Sequence, residues 1–273
     1  MAITLTADPQ VILCTITMVM AVGTLFSTAE WLANRSALMD RGVLSWSVMQ
    51  RRRGIWSRGW FVRIATPVLG YPGIIGLLSA QGIAAACLTA LPTHDVIRPL
   101  MLTILVCCTV GQQIRSFPIG FTGADRMRLV VLGALWLREL APDSNLSTQA
   151  CLWFIALQCC LSYARPGLTK LTSAAWLSGN VLRETACHHL FGHRGLAAFL
   201  DCHPANARYL AWSVMLLQVT FPLALVDQRI CLVYLLCMLS FHIGTAILMG
   251  FNNFVWSWAS TYPAVLYVAI CLH

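Results

Sequence analysis

The chain has 273 residues, of which 58% are hydrophobic and only 10% are charged. A soluble domain carries about 25% charged residues, so the composition excludes an ordinary soluble protein and predicts an all-α integral membrane protein. The formal net charge is +8, yet no nucleic-acid-binding motif accompanies it. Basic residues instead cluster in one loop after the first apolar stretch, which is typical of a loop facing anionic lipid. We therefore expect the lipid bilayer, and no nucleic acid, as a partner. The clustered residues are Arg35, Arg41, Arg51, Arg52, Arg53, Arg58 and Arg63.

Apolar stretches long enough, or nearly long enough, to span a bilayer recur along the whole chain. They predict a single bundle of seven or eight transmembrane helices forming one domain over residues 1–273, with no soluble lumenal or propeptide-binding domain. The predicted spans are Val11–Ala33, Val62–Leu91, Leu100–Ile119, Met127–Leu137, Gln149–Tyr163, Tyr209–Val226, Ile230–Gly250 and Phe254–Leu272.

The stretch Met127–Leu137 decides between seven and eight spans. It is apolar throughout but short, and about 20 apolar residues are normally required to cross, so we predict that it does not fully span. The positive-inside rule favours the opposite, because eight spans gather more of the basic residues on the side of the Arg-rich loop. Both counts remain open. The following segment, 166–208, is too polar to span and too rich in Leu, Trp and Phe for a free loop, which predicts interfacial helices.

Lys170 is the sole lysine of the chain and lies at the end of an apolar run. A charged side chain at the bilayer centre costs about 2.5–3.5 kcal/mol on insertion scales, so an intramembrane lysine is a functional-site hypothesis. One alternative is that the amine snorkels to the headgroups. The other is that it lies in a dry pocket, where an amine can act as a base.

The residues around Lys170 follow the order Y-x3-G-L-x-K-L-x4-W-x2-G. This pattern resembles the membrane module of vitamin K-dependent γ-carboxylases and their bacterial relatives, the HTTM family. The resemblance implies a membrane enzyme in which Lys170 is the base that activates a quinol, with a quinone or hydroquinone as cofactor and a peptide or small molecule as substrate. The residues of the pattern are Tyr163, Gly167, Leu168, Lys170, Leu171, Trp176 and Gly179.

His242 lies in the middle of a long apolar stretch. Together with Gly250 and Phe254 it resembles the late helix of the family, whose histidine faces the same cavity, although a polar residue in a membrane often only bonds a neighbouring helix. Neither Lys170 nor His242 can rest cheaply against lipid, so both are expected to turn inward. We predict one quinone-sized pocket that brings them within roughly 10 Å, with aromatic walls from Tyr163, Trp176 and Phe254.

Three further residues are expected to support this site. Asp125 resembles part of a G-x-D pattern of the family, but it also suits a helix N-cap. Glu30 resembles the opening of small bacterial members that accompany secreted toxin peptides, and an ion pair with Arg35 is the alternative. Gln218 stands where the family usually carries a glutamate before its F-P pair, and an amide cannot act as a carboxylate base.

A cluster of Cys and His residues near position 190 invites a metal interpretation, since zinc accepts both. His189 and His193 stand four apart, but Gly192 and Gly195 interrupt any helix and no Cys pair has finger spacing. We therefore expect no metal. The cluster comprises Cys187, His188, His189, His193, Cys202 and His203.

Two functions remain open at this point. The first is a quinol-dependent carboxylase-like or oxygenase-like enzyme. The second is a non-enzymatic partner in maturation, export or self-protection for a secreted peptide toxin. Such a partner would be similar to the sporulation-delaying protein B group, and its gene would lie beside those of its toxin and of a maturation protein. Both hypotheses imply that the protein lies in the bacterial cytoplasmic membrane.

Overall fold

The computed structural model describes residues 8–50, 58–116, 122–141, 145–189 and 191–273. Within these ranges the regular structure is helical and no strand occurs. The chain divides into two compact units. The first comprises Leu13–Thr148, and the second comprises Gln149–His273 together with the described residues before Leu13. Arg51, Arg52 and Arg53 of the predicted basic loop lie outside the described residues.

The helices that lie wholly or mostly in the first unit are α1 Pro9–Ala33, α2 Trp46–Met49, α3 Gly59–Leu69, α4 Gly73–Ala90, α5 Ile97–Ser116 and α6 Gly123–Leu140. The helices of the second unit are α7 Asn145–Leu171, α8 Ala174–Leu177, α9 Asn180–Cys187, α10 Arg194–Cys202, α11 Pro204–Val219, α12 Gln228–Met249, α13 Asn252–Ala259 and α14 Tyr262–Cys271, with a 3-10 turn at Phe221–Leu225 after α11.

Six helical segments of the described chain are long and apolar enough to cross a membrane, which indicates an integral membrane protein. Neither α6 nor α11 is among them, so the count of seven or eight spans is not confirmed. The six segments are Pro9–Ala33, Gly73–Ala90, Ile97–Ser116, Asn145–Leu171, Gln228–Met249 and Asn252–Cys271.

Several predicted boundaries are wrong, and proline accounts for two of them. The stretch Val62–Leu91 forms two helices rather than one, because Pro72 has no N–H to continue the ladder and stands at the N-cap of α4. The last stretch is also divided, and Pro263 lies in the first turn of α14. In contrast, α7 continues through Pro166 to Leu171. Residues 166–171 therefore end a long helix instead of opening the interfacial segment.

Polar side chains occupy the interior of the first unit. Gln81 on α4 donates to Thr109 Oγ1 (3.0 Å) and to Gln112 Oε1 (3.1 Å) of α5, and it accepts from Thr28 of α1 (3.4 Å). All four side chains are buried. Polar residues in membrane helices turn toward one another because lipid offers no hydrogen bonds. This network joins α1, α4 and α5.

Candidate functional site

Helix α7 carries the two residues around which the candidate site is organised, Tyr163 and Lys170. Its residues Ile155, Ala156, Cys159 and Tyr163 are almost completely buried and recur at helical spacing, which defines the inward face. Lys170 follows Tyr163 by seven residues, so it lies on nearly the same face about 10.5 Å further along the axis. The inward face of α7 thus presents a buried phenol and, two turns later, an amine.

The Lys170 amine is held by an amide and an aromatic ring. Its Nζ donates a hydrogen bond to Gln218 Oε1 on α11 (2.7 Å) and lies 4.5 Å from the ring centroid of Trp176. Gln218 is buried, and Lys170 and Trp176 are half-buried. In the described ranges no carboxylate forms an ion pair with Lys170. The sole lysine therefore has an uncharged hydrogen-bond acceptor.

Gly167 permits this contact between α7 and α11. A Cβ at this position would lie 2.8 Å from the backbone nitrogen of Val219 and 3.0 Å from Cβ of Gln218. Both distances are shorter than ordinary carbon contacts of about 3.5–4.0 Å. Only glycine lets the two backbones approach this closely, and the approach brings Gln218 beside Lys170, one turn further along α7.

Gly179 has a comparable role for Trp176. It adopts a left-handed φ of 80°, and a Cβ there would lie 2.6 Å from the backbone nitrogen of Arg208 on α11. Trp212 also donates to the carbonyl of Leu177 (3.3 Å). These contacts dock the short helix α8 on α11 and hold the Trp176 ring against the Lys170 amine.

A second cluster surrounds His242 on α12. Its Nε2 shares a hydrogen bond of 2.7 Å with the Tyr163 hydroxyl, which is also 3.0 Å from the Tyr262 hydroxyl of α14. All three side chains are buried, and His242 is only 2% exposed. Among the described residues, the other ring nitrogen, Nδ1, has no hydrogen-bond partner. An unpaired buried polar atom is costly and calls for an explanation.

Aromatic rings enclose the His242 imidazole. Trp258 stacks on it with centroids 5.0 Å apart, and Phe254 stacks on Trp258 at 5.2 Å with nearly parallel planes. The indole of Trp258 donates to Ser162 of α7 (3.1 Å), which fixes the ring relative to that helix. Stacked and offset rings of this kind are favourable beyond their buried area, so the imidazole has a defined orientation.

The predicted pocket residues thus fall into two adjoining groups. Trp176 and Gln218 belong with Lys170, whereas Tyr163 and Phe254 belong with His242. The groups are linked along α7, and Phe221, three residues after Gln218, packs on the Tyr163 ring with centroids 4.4 Å apart. Lys170 and His242 make no direct hydrogen bond. Their convergence on one ligand stays a prediction.

The remaining two supporting residues lie in the first unit. Asp125 occupies the third position of α6, where it forms a capping box with Thr122. Glu30 is exposed near the end of α1. Arg128 of α6 is buried, donates to Ser27 (3.3 Å) and lies within electrostatic range of both carboxylates. The structure therefore places Asp125 and Glu30 around a buried arginine.

The Cys and His cluster near position 190 does not assemble a metal centre in the described ranges, where no three potential ligands converge. His193 instead caps α10, with its Nδ1 accepting from the Leu196 amide (3.2 Å). His188 stacks between His189 and Phe191, with ring centroids at 4.8 and 5.2 Å.

Two residues of the His242 cluster were absent from the sequence-based prediction, Tyr262 and Trp258. Tyrosine and tryptophan are ordinary residues at the membrane–water interfaces, and neither residue belongs to a recognisable pattern. A signal existed for Tyr262, because a hydroxyl inside an apolar run needs a partner.

No protein-family model, curated protein or solved structure matches the chain.

Proposed function

We propose that this chain is an HTTM-type membrane enzyme that uses a quinol, with Lys170 as the base, to modify a peptide or small molecule. The observation that carries the proposal is the environment of the sole lysine. A carboxylate partner would favour the charged ammonium and oppose its use as a base. The neutral Gln218 amide orients the amine without supplying that charge.

The residues of the second unit fit a hydroquinone. Such a ligand has two hydroxyl groups and a flat ring, so it needs polar contacts and aromatic walls. Lys170 and the unpaired Nδ1 of His242 offer the polar contacts, and Phe254 and Trp258 offer ring faces. A bound hydroquinone would supply the reducing equivalents that, with oxygen, generate a base strong enough to remove a poorly acidic C–H proton.

The protein side of this chemistry has three parts. Lys170 accepts a proton from the ligand hydroxyl, and the ring of Trp176 keeps the amine in place. His242 holds a ligand oxygen through Nδ1, while its Nε2 bonds the Tyr163 hydroxyl, which in turn bonds Tyr262. The buried aromatic rings exclude water, which would quench a strong base.

The same proposal covers the cellular setting. The substrate is a secreted peptide or a small molecule, and a maturation protein is encoded beside the enzyme. The enzyme lies in the bacterial cytoplasmic membrane as a bundle of seven or eight helices. In this arrangement α11 adds a seventh segment to the six apolar ones, α6 adds an eighth if it crosses, and α8 to α10 form the interfacial part. Basic residues of the loop at Arg35 and Arg41 face anionic lipid.

One observation favours a second function, a non-enzymatic partner in maturation, export or self-protection for a toxin peptide. Gln218 occupies the place of a family glutamate, so the chain lacks the carboxylate on which carboxylation could depend. In that case Lys170 would stabilise the contact between α7 and α11, or bind an acidic group of the peptide.

Co-expression with a neighbouring peptide gene separates the two functions. The peptide should gain mass when produced with the wild-type chain and should remain unmodified with Lys170→Ala. Thr169→Ala is the matched control, because this exposed hydroxyl bonds only the Arg165 carbonyl of its own helix. A peptide that keeps an unchanged mass yet binds the wild-type chain would contradict the enzyme and support the partner.

A further inference from the structure

An apolar pocket of about 240 Å³ lies within the second unit, walled by α9, α10, α11 and α12. Its lining contains neither Lys170 nor His242, so it is distinct from the candidate site. Aliphatic and aromatic side chains dominate, among them Leu182, Leu200, Phe241 and Leu248. A cavity of about 150 Å³ with such a lining stays dry and accepts small hydrocarbons. The larger pocket here calls for a larger apolar occupant.

Three polar atoms of the lining residues already have partners. Thr185 donates to the Val181 carbonyl (2.6 Å) and Thr245 to the His242 carbonyl (2.8 Å), both within their own helices. His193 Nδ1 accepts the amide of Leu196 as a helix cap. Because the hydroxyls are used locally, the pocket offers little to a polar ligand and selects for hydrocarbon.

Helix α12 contributes more residues to the lining of the pocket than any other helix. On α12 its lining runs from Phe241 to Met249, two positions eight residues apart and so about 12 Å apart along the helix. An apolar slot along this length of helix accommodates an extended hydrocarbon chain, with wall atoms at contact distances of about 4 Å.

The charge on the helices that wall the pocket indicates which kind of molecule carries the hydrocarbon chain. Arg194 on α10 and Arg208 on α11 are exposed, and both helices wall the pocket. Neither arginine forms an ion pair in the described part of the chain. Exposed arginines beside a membrane attract the phosphate of phospholipid headgroups.

We propose that this pocket binds one acyl chain of a membrane phospholipid. The hydrocarbon occupies the slot along α12, and the headgroup phosphate lies near Arg194 and Arg208. The proposal does not depend on the quinol chemistry of the candidate site.

Gly244 gives a direct test, because it lines the pocket and a Cβ there would meet nothing within 4 Å. Gly244→Leu should fill the slot without a backbone clash. Gly133→Leu is the matched control, since this helical glycine of α6 also faces open space but lies outside the pocket. Thr245→Phe provides a second filling variant. The proteins are reconstituted in phosphatidylcholine vesicles with a phosphatidylcholine bearing a diazirine on one acyl chain, and crosslinks are mapped by mass spectrometry.

The wild type and Gly133→Leu should carry crosslinks on the pocket-facing residues of α9 and α12. Gly244→Leu and Thr245→Phe should lose them while labelling at Ile247, a 75% exposed residue of α12, persists. Pocket labelling that survives in both filling variants, or that is absent from the wild type, would refute an acyl-chain site. Labelling by a diazirine-bearing isoprenoid but not by the acyl probe would also overturn the assignment.

Discussion

The Tyr163 hydroxyl bonds two buried partners, His242 and Tyr262, and so connects α7 with α12 and α14. Tyr163→Phe leaves both partners without this bond, and an unsatisfied buried polar group costs about 1–3 kcal/mol. We expect Tyr163→Phe to lower the free energy of unfolding by that amount. Tyr262→Phe keeps the bond between Tyr163 and His242, so its loss should be smaller, about 0.5–1.5 kcal/mol.

Denaturant titration of the purified proteins in detergent, followed by tryptophan fluorescence, measures both losses. Equal stability of Tyr163→Phe and the wild type would show that the hydrogen-bond chain contributes nothing to folding. A larger loss for Tyr262→Phe than for Tyr163→Phe would contradict the central position of Tyr163.

At the scale of single residues, the sequence indicates Lys170 and His242 as candidate site residues because ionisable residues in apolar runs are rare. It does not indicate that their partners are Gln218 and Tyr163. Such pairings depend on which helices pack together and on how far one helix is shifted along its axis relative to the next. Hydropathy contains neither piece of information.

The close approach of α7 and α11 depends on Gly167. Gly167→Ala would place a methyl group 2.8 Å from the Val219 backbone, and overpacking of this kind costs about 1–3 kcal/mol. We expect a lower thermal unfolding temperature. Gly133→Ala is the control, since open space surrounds that position and replacing a helical glycine by alanine is stabilising by about 0.5–1 kcal/mol. A Gly167→Ala protein as stable as Gly133→Ala would disprove the tight contact.

Helix α12 begins with a titratable cap. Asp227 accepts the amides of Arg229 and Ile230, and these bonds lower the pKa of its carboxyl. Because the folded pKa lies below the unfolded one, this stabilisation is complete above the unfolded value of about 3.9 and is lost as the pH falls through the folded pKa. Circular dichroism melts should therefore show that the difference between wild type and Asp227→Ala shrinks in acid.

Asp227→Asn separates capping from charge, because asparagine is also a good N-cap but does not titrate in this range. The stability difference between Asp227→Asn and Asp227→Ala should stay constant with pH. If the wild type and Asp227→Asn lose stability in parallel on acidification, the carboxyl of Asp227 does not contribute the expected pH dependence.

Long apolar elements such as α1 and α12 are predictable from hydropathy, and their described bounds lie close to the predicted ones. The division of α3 from α4 is less predictable, because Gly70 and Pro72 are tolerated within membrane helices as well as between them. The continuation of α7 through Pro166 illustrates the opposite outcome. Proline alone does not fix an element boundary when the surrounding packing supports a helix.

Across the whole molecule, the side on which each loop lies depends on α6. Between residue 50 and residue 178 the described helices that are long and apolar enough to cross are α4, α5 and α7. Their number is odd, so these two positions should lie on opposite sides if α6 does not cross. Reporter fusions ending at Gln50 and Ser178, with a phosphatase active only outside and a fluorescent protein fluorescent only inside, measure this. Equal behaviour of both fusions would show that α6 spans.

The central claim is that Lys170 serves as the base in quinol chemistry, and oxygen uptake by the purified protein tests it most directly. Reduced menadione and reduced decylubiquinone serve as probes, with protein-free oxidation subtracted. Loss of a general base typically lowers a rate by about 10²–10⁴-fold, so Lys170→Ala and the permanently charged Lys170→Arg should both fall to background while Thr169→Ala retains the wild-type rate. Quinol-dependent uptake that is equal in the wild type and Lys170→Arg, or absent from the wild type with both quinols, would contradict the account.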